Sequence, residues 1–326
     1  MLQLEPAVSP LPYMRVRELG ELRISHSSMQ LFSSCARKFE FRKLLEAQGD
    51  GDQTLAAEFG SAIHAGFQKW LETDGDETAA LWAFMLRYPW DMDRTGYGRN
   101  RYIPETGFAV LQSMFFTVAL SEYEIATVTL PDGTTRPAIE VPFELELENF
   151  SLAGDTNVKV IYTGLIDAIL YNHLTRKYMV VDIKTTSRMM EDMGAMYQFS
   201  DQCIPYAIVL EKLLGVAAIE ELEIRYIACY VDLEKPNTQM LPYDKTSEDI
   251  SDWASGYMHK LHSMREFFER AWFPRNGDSC ANYNRTCEYM PYCHDRDAVR
   301  LSQFFQETPR SRQQPEPWVR VKLALT

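Results

Sequence analysis

No run of about 18 consecutive apolar residues occurs in this sequence, which excludes an ordinary membrane-spanning helix. The stretch from Met1 to Gly20 holds Glu5, Pro6, Pro10 and Pro12 and lacks the apolar segment of a secretory leader, so the chain is expected to be intracellular, in the cytoplasm. A G-x-x-x-x-G-K-[S/T] phosphate loop is missing, and any ATP-driven step must then come from a partner. Internal repeats and low-complexity tracts are lacking too. Positive charge is scarce: 33 Lys and Arg stand against 46 Asp and Glu, a formal net charge of −13. That balance argues against tight, promiscuous binding of a polyanion by the whole chain, but it leaves room for a local basic groove.

What is present is enough for a sizeable core. The 326 residues are 46% hydrophobic and include 17 Phe and 17 Tyr, which fits one large domain with an insertion or a small appendage. Residues 1–24 read as an irregular arm. From Ser25 the spacing of Met29, Phe32, Cys35, Phe39, Leu44 and Leu45 predicts a helix that Ser27 or Ser28 can cap. A second helix is predicted from about Ala57 to Glu72, with Phe59, Ile63, Phe67 and Trp70 on one face, and residues 73–127 read as a helical insertion. Ile139, Val141, Phe143, Leu145 and Leu147 alternate with Glu140, Glu144, Glu146 and Glu148, a strand with one wet face. The stretches 158–171 and 178–184 are apolar on both faces, as central strands are. A helix over 201–214 stopping at Gly215, a strand over 222–231 and a long helix over 247–272 complete the pattern. Residues 275–297 read as loop, and the tail from 298, with Pro309, Pro315 and Pro317, as loosely ordered.

The sharpest chemical signal lies between Val158 and Thr185. Asp182 and Lys184 are two apart on a strand and share one face, with Val181 and Ile183 on the other. A symmetrical loop over Asn172–Lys177 pairs Tyr171 with Tyr178 and Ile169 with Val180, and carries the register on to Asp167 and Asp182. Two carboxylates brought that close repel, and a shared divalent cation removes the penalty. Lys184 beside them offers a positive charge to an attacking water or a phosphate. Each piece taken singly is ordinary, and a register slip of one residue would separate the two acids.

The wider set is more specific. In order come Ser25-His26-Ser27-Ser28 with Cys35-Ala36-Arg37-Lys38-Phe39, then Gly60 and His64, Gly164-Leu165-Ile166-Asp167, Val181-Asp182-Ile183-Lys184-Thr185, and Gln202 with Tyr206. This order and spacing over about 25–297 resembles the PD-(D/E)XK nuclease superfamily, in its RecB-type branch with the AddB nuclease domains and the CRISPR-associated iron–sulfur exonucleases. The resemblance implies an α/β, restriction-endonuclease-like core: a central mixed sheet flanked by helices, with a helical insertion and an iron–sulfur-stapled C-terminal loop. It implies that His64, Asp167, Asp182 and the main-chain carbonyl of Ile183 bind Mg²⁺ or Mn²⁺, that Lys184 activates the water, and that Gln202 and Tyr206 support the site and contact DNA. Pro205 between the last two predicts a helix that is kinked or starts late.

Cys280, Cys287 and Cys293 are spaced C-x6-C-x5-C in a loop, where cysteines have little packing reason to be. A zinc site using His294 is one reading. The resemblance adds Cys35 as a fourth thiolate and a [4Fe–4S] cluster. Cys203 and Cys229 lie in apolar segments and read as core. For DNA contact the basic candidates are Arg37, Lys38, Arg42 and Lys43 on the first helix and Arg94, Arg99 and Arg101 in the insertion, with Tyr97 and Tyr102 available for stacking. The expected activity is a metal-dependent deoxyribonuclease, an exonuclease on single strands or DNA ends in repair, recombination or phage DNA processing, with a helicase or a recombination or adaptation protein as partner. A structure-specific endonuclease and a non-catalytic iron–sulfur DNA-binding subunit are the competing readings.

Overall fold

The alternating and apolar stretches between 139 and 186 form the strands around which the other elements assemble. The structure is a computed structural model that describes residues 20–45, 54–93, 95, 101–118, 120–130, 132–152, 156–187, 197, 200–215, 222–232, 234–243, 246–270, 272–282, 285–295 and 316–322. In chain order its elements are β1 (Glu21–Ile24), α1 (His26–Ser34), α2 (Leu55–Glu72), α3 (Glu77–Arg87), α4 (Pro104–Thr117), β2 (Tyr123–Ile125), β3 (Thr127–Thr129) and β4 (Thr135–Pro137). They continue as β5 (Ile139–Leu152), β6 (Thr156–Asn172), β7 (Lys177–Thr186), α5 (Ile204–Leu214), β8 (Leu222–Tyr230), β9 (Asn237–Tyr243), α6 (Ser247–Glu269), β10 (Ala281–Asn282), β11 (Arg285–Thr286) and β12 (Val319–Lys322).

Eight strands make one mixed sheet in the order β12-β5-β6-β7-β8-β9, with β1 and β2 also paired to β6. Period-two alternation sends successive side chains to opposite faces. Met179, Val181 and Ile183 of β7 pack with Phe59, Ile63 and Phe67 of α2 and with Val110 and Met114 of α4. On the other face Val180 joins Met29 and Phe32 of α1, Val209 and Leu210 of α5, and Trp253 and Leu261 of α6. The sheet is thus sandwiched between helical layers, the α/β arrangement expected, and residues 73–117 supply helices to the α2 face. No helix among the described residues is long and apolar enough to cross a membrane.

The β6–β7 hairpin pairs Tyr171 with Tyr178 and Ile169 with Val180, as the symmetrical loop requires. Asn172 Oδ1 closes that loop by accepting the N–H groups of Leu174 and Thr175. The ladder ends at Ala168–Val181, one step before the two acids. Beyond it β6 and β7 part, and β1 pairs in parallel with β6 from Lys159 to Tyr162.

Several expectations need correction. Residues 21–24 and 319–322 are strands of the sheet, not irregular arm and tail: β1 on β6, β12 parallel to β5. The first helix is not continuous, because Cys35 is extended (φ −160°, ψ 107°) and breaks it, and the chain resumes as a helical turn at Ala36–Phe39 and a π-turn at Glu40–Leu44. Its cap is Ser25, whose hydroxyl accepts from Ser28 N–H. The helix bearing Tyr206 starts late, at Ile204, with Pro205 in its first turn where no N–H is missed. It ends at Gly215 in the left-handed region (φ 67°).

Candidate active site

Three elements meet where β6 and β7 part. Asp167 has lost the strand partner it would face, and its carboxylate takes over: Oδ2 accepts the N–H of Ile183 at 2.7 Å. A side chain thus satisfies a backbone donor that the split in the ladder would strand. Asp182 points from β7 toward the α5 side and is only 2% exposed. Its Oδ1 accepts from Gln202 Nε2 at 2.9 Å, and its Oδ2 is ion-paired with Lys184 Nζ. Gln202 Nε2 also donates to Tyr206 Oη at 3.3 Å, and Tyr206 Oη reaches the carbonyl of Leu165 at 3.3 Å. Gln202 lies just before α5 and still meets Tyr206, one turn on.

The third element is α2. A Cβ on Gly60 would lie 2.8 Å from Thr185 Oγ1, so the missing side chain is what lets this helix lie close on β7. One turn later His64 Nε2 is 3.1 Å from the carbonyl of Ile183, while its Nδ1 is 3.6 Å from Asp167 Oδ2. Gly164 plays a similar part on β6, since a Cβ there would enter the ring of Phe143, which packs edge-on against Tyr206.

Charge in this cleft is poised against solvent loss. Burial drives the Asp182 carboxyl up to about 6; Lys184 opposes that and Asp167 reinforces it. Burial works against the Lys184 ammonium, but Asp182 and Asp167 outweigh it and hold its pKa above the ordinary lysine value. Such a set can hold a hard cation and keep one ammonium beside it.

Sequence reasoning missed one member. Glu140 stands on β5 between Ile139, paired with Ala168, and Val141, paired with Ile166, hence across from Asp167. Its ligand atom and those of His64 and Asp167 lie within 4.8 Å of one another, the one such group of metal-capable side chains among the described residues. Burial, then Asp167 and Glu72, push the Glu140 carboxyl up to about 7. Alternation alone marks Glu140 as solvent-facing, and its place depends on a positive φ of 50° that no pattern announces.

A family model describing the PD-(D/E)XK nuclease superfamily matches residues 23–294, most of the chain and every element of this site. The chain belongs to the PD-(D/E)XK nuclease superfamily. Among solved structures, a "Putative exonuclease" from Eubacterium rectale is similar at 14% identity with a TM-score of 0.46, over 91% of this chain and 94% of that one. The protein SSO0001 is similar at 12% identity with a TM-score of 0.24, over 77% of this chain and 85% of that one. No curated protein matches the chain.

Nucleases of this superfamily use divalent metals, and the residues present fit one. The donors are carboxylates, a main-chain carbonyl and an imidazole, the hard and borderline set that suits Mg²⁺ or Mn²⁺.

The break at Cys35 carries the second candidate centre. Asn276 N–H approaches Cys35 Sγ at 3.5 Å, Asn276 Nδ2 and Ser279 Oγ both donate to the carbonyl of Ser34, and Arg37 N–H donates to that of Pro274. Burial raises the Cys293 thiol; Arg37 opposes, and Cys35, Cys280 and Cys287 all lie close enough to add to the shift. Each of the three thus lies on the Cys293 side of this loop. No three of these cysteines, with or without the exposed His294, meet within 4.8 Å among the described residues. The loop also docks by apolar contact: Tyr289 is 1% exposed and packs on Phe41. Cys203 and Cys229 are fully buried in the two main cores, as expected.

The basic candidates divide. Arg37 is 5% exposed, with Nε donating to the carbonyl of Phe273 and the guanidinium 4.9 Å from the Trp272 ring centre, so it ties the C-terminal loop to the first helix and is removed from DNA contact. Lys38 pairs with Glu288 at 3.1 Å. Arg42 and Arg101 are half-buried. Arg94, Arg99 and Tyr97 lie outside the described residues. Tyr102 packs its ring on Phe59. A cleft of about 770 Å³ opens beside the site, lined by Gln202, Ser200, His26, Lys260 and Trp253 among others.

Proposed function

We propose that this nuclease is a metal-dependent deoxyribonuclease, an exonuclease on single-stranded DNA or DNA ends. The observation that carries the reading is the Asp167–Asp182–Lys184 arrangement at the fork of β6 and β7, with Asp167 on the Ile183 N–H and Asp182 on Lys184. His64, Asp167, Asp182 and the Ile183 carbonyl would hold Mg²⁺ or Mn²⁺, which would supply Lewis acidity toward the phosphate and lower the pKa of a nearby water. Lys184 would hold the attacking water by donating a hydrogen bond to its oxygen and would offset negative charge as it builds on the phosphate. Gln202 fixes the Asp182 rotamer, and Tyr206 braces Gln202 against the Leu165 carbonyl. In the reaction the water gives up a proton to solvent as its oxygen forms a new P–O bond, one ester P–O bond breaks, and the departing oxygen takes up a proton from solvent.

The cleft beside Gln202, bordered by Lys260 and His26, supports a strand path that leads to the site. Cys35, Cys280, Cys287 and Cys293 hold a [4Fe–4S] cluster that fastens the C-terminal loop to the first helix. DNA repair, recombination or phage DNA processing is the setting, with a helicase or an adaptation protein as partner. The test is digestion of end-labelled linear and circular single- and double-stranded DNA with Mn²⁺, Mg²⁺ or EDTA. Loss of linear single strands with metal, and survival of circles, is the expected result. Circles cut as fast as linear DNA would make the protein an endonuclease, and no cutting under any condition would favour a non-catalytic DNA-binding subunit.

A further inference from the structure

Resting on the metal-dependent reading, we infer that Glu140 is itself a ligand of the bound cation, forming with His64 and Asp167 the side of the coordination sphere that faces α2. Three observations converge. Glu140 lies on β5 across from Asp167, and its carboxylate, His64 and Asp167 each place a ligand atom within 4.8 Å of the others.

The second observation concerns the imidazole. A carbonyl can only accept, so the 3.1 Å contact between His64 Nε2 and Ile183 O requires the proton on Nε2. In the neutral ring Nδ1 is then a bare lone pair, 3.6 Å from the Asp167 carboxylate. A ring that donates one nitrogen to a backbone carbonyl and turns its other lone pair toward carboxylates has the tautomer and orientation of a metal-ligating histidine. With Glu140 added, an imidazole nitrogen and two carboxylates face one another, and a cation is what makes that set attractive once it is ionised.

The third observation is that Asp182 serves the other side of the site, with Gln202 and Lys184 on its oxygens on the α5 side of the sheet. Glu140 has no such partner among the described residues, and it is half-buried against the same fork from the opposite strand. Its left-handed backbone (φ 50°) turns the carboxylate out of the regular alternation of β5, toward Asp167. Glu146, on the same strand, pairs instead with Lys159 at 3.0 Å and serves as the control.

The experiment is a Mn²⁺ titration of the full chain without DNA, reading free Mn²⁺ by electron paramagnetic resonance. Glu140→Gln should bind Mn²⁺ about tenfold or more weakly, on the scale of lost ligand-shell contacts, and Glu146→Gln should match the parent. Glu140→Gly removes the carboxylate at a backbone conformation that glycine favours, so it folds and must show the same loss. Variants at 140 that bind as tightly as the parent, while Asp167→Asn loses binding, would overturn the Glu140 assignment and leave the nuclease reading standing. Binding that depends on Glu140 in a protein that cuts no DNA would keep the ligand and remove the nuclease reading.

Discussion

The Asp167 carboxylate accepts the main-chain N–H of Ile183 at 2.7 Å, across the gap where β6 and β7 part. This contact ties the first acid of the site to the peptide that lies between Asp182 and Lys184. The geometry of the cleft is therefore built into the backbone of the hairpin, and side-chain changes at Asp167 act on both strands.

The first prediction follows from Gly60. Its Cβ-free contact with Thr185 sets the height of α2 over β7, and hence the reach of His64 to Ile183. Gly60→Ala gains roughly 1 kcal/mol of helix propensity and meets an overpacking cost of similar size. Thermal melting should move little, while cleavage falls about tenfold, as for a positioning error. Adding Thr185→Ala should recover most of the activity. Full activity in Gly60→Ala alone would show that His64 placement is unimportant.

The second concerns pH. The Glu140 and Asp182 carboxyls are both raised, to about 7 and about 6, so their protonated forms are favoured by folding. Their contribution to stability is complete below the ordinary carboxylate pKa and is lost as pH rises through the raised values. Metal-free protein should thus lose melting temperature between about pH 5 and 8, and Glu140→Gln should flatten the upper part of that fall. Mn²⁺ should restore stability most at the alkaline end, where the ligands are ionised. A metal-free melting curve that is the same for parent and Glu140→Gln across this range would contradict the assignment of the shift.

The third concerns the cysteines. Anaerobically purified protein should be brown with about four irons per chain. Cys35→Ala and Cys287→Ala should lose the colour and expose the 275–295 loop to protease, while Cys203→Ala and Cys229→Ala stay brown. Because Tyr289 also packs on Phe41, the loss in melting temperature should be partial. One stoichiometric zinc in a colourless protein would replace the cluster with a zinc staple.

The fourth concerns substrate. Lys260 and His26 border the cleft beside Gln202, and burial, with Lys184 and Lys260 nearby and despite Asp201, keeps the His26 pKa below its usual value. Lys260→Glu should weaken single-strand binding and reduce the salt slope by about one unit, whereas Arg37→Ala should act by loosening the loop. An unchanged slope in Lys260→Glu would place the strand elsewhere.

The chemistry of the site was legible in the sequence where it depended on local rules. Period-two alternation put Asp182 and Lys184 on one face, and the symmetrical loop put Tyr171 opposite Tyr178. What stayed hidden depended on distant pairing. Glu140 reads as one of several solvent-facing glutamates until β5 is laid on β6, and its positive φ breaks the alternation on which that reading rests. The four-residue strands β1 and β12 are parallel partners more than 100 residues from β6 and β5, too short to show a period. Strand β9 was missed because Asn237, Thr238, Gln239 and Pro242 give an edge strand little apolar pattern. Arg37 looked like a surface charge because helical spacing was assumed to continue through Cys35, where the chain in fact turns.

The central claim is that Asp182 and Lys184 perform chemistry rather than hold the fold. The most direct measurement is Mn²⁺-dependent degradation of end-labelled single-stranded DNA by parent, Asp182→Asn and Lys184→Ala, with circular dichroism on the same preparations. Cleavage should fall by about a thousandfold or more in both variants, the scale of losing a group that stabilises the transition state, with unchanged spectra and with EDTA abolishing the parent activity. Either variant folding normally and cutting at the parent rate would contradict the account.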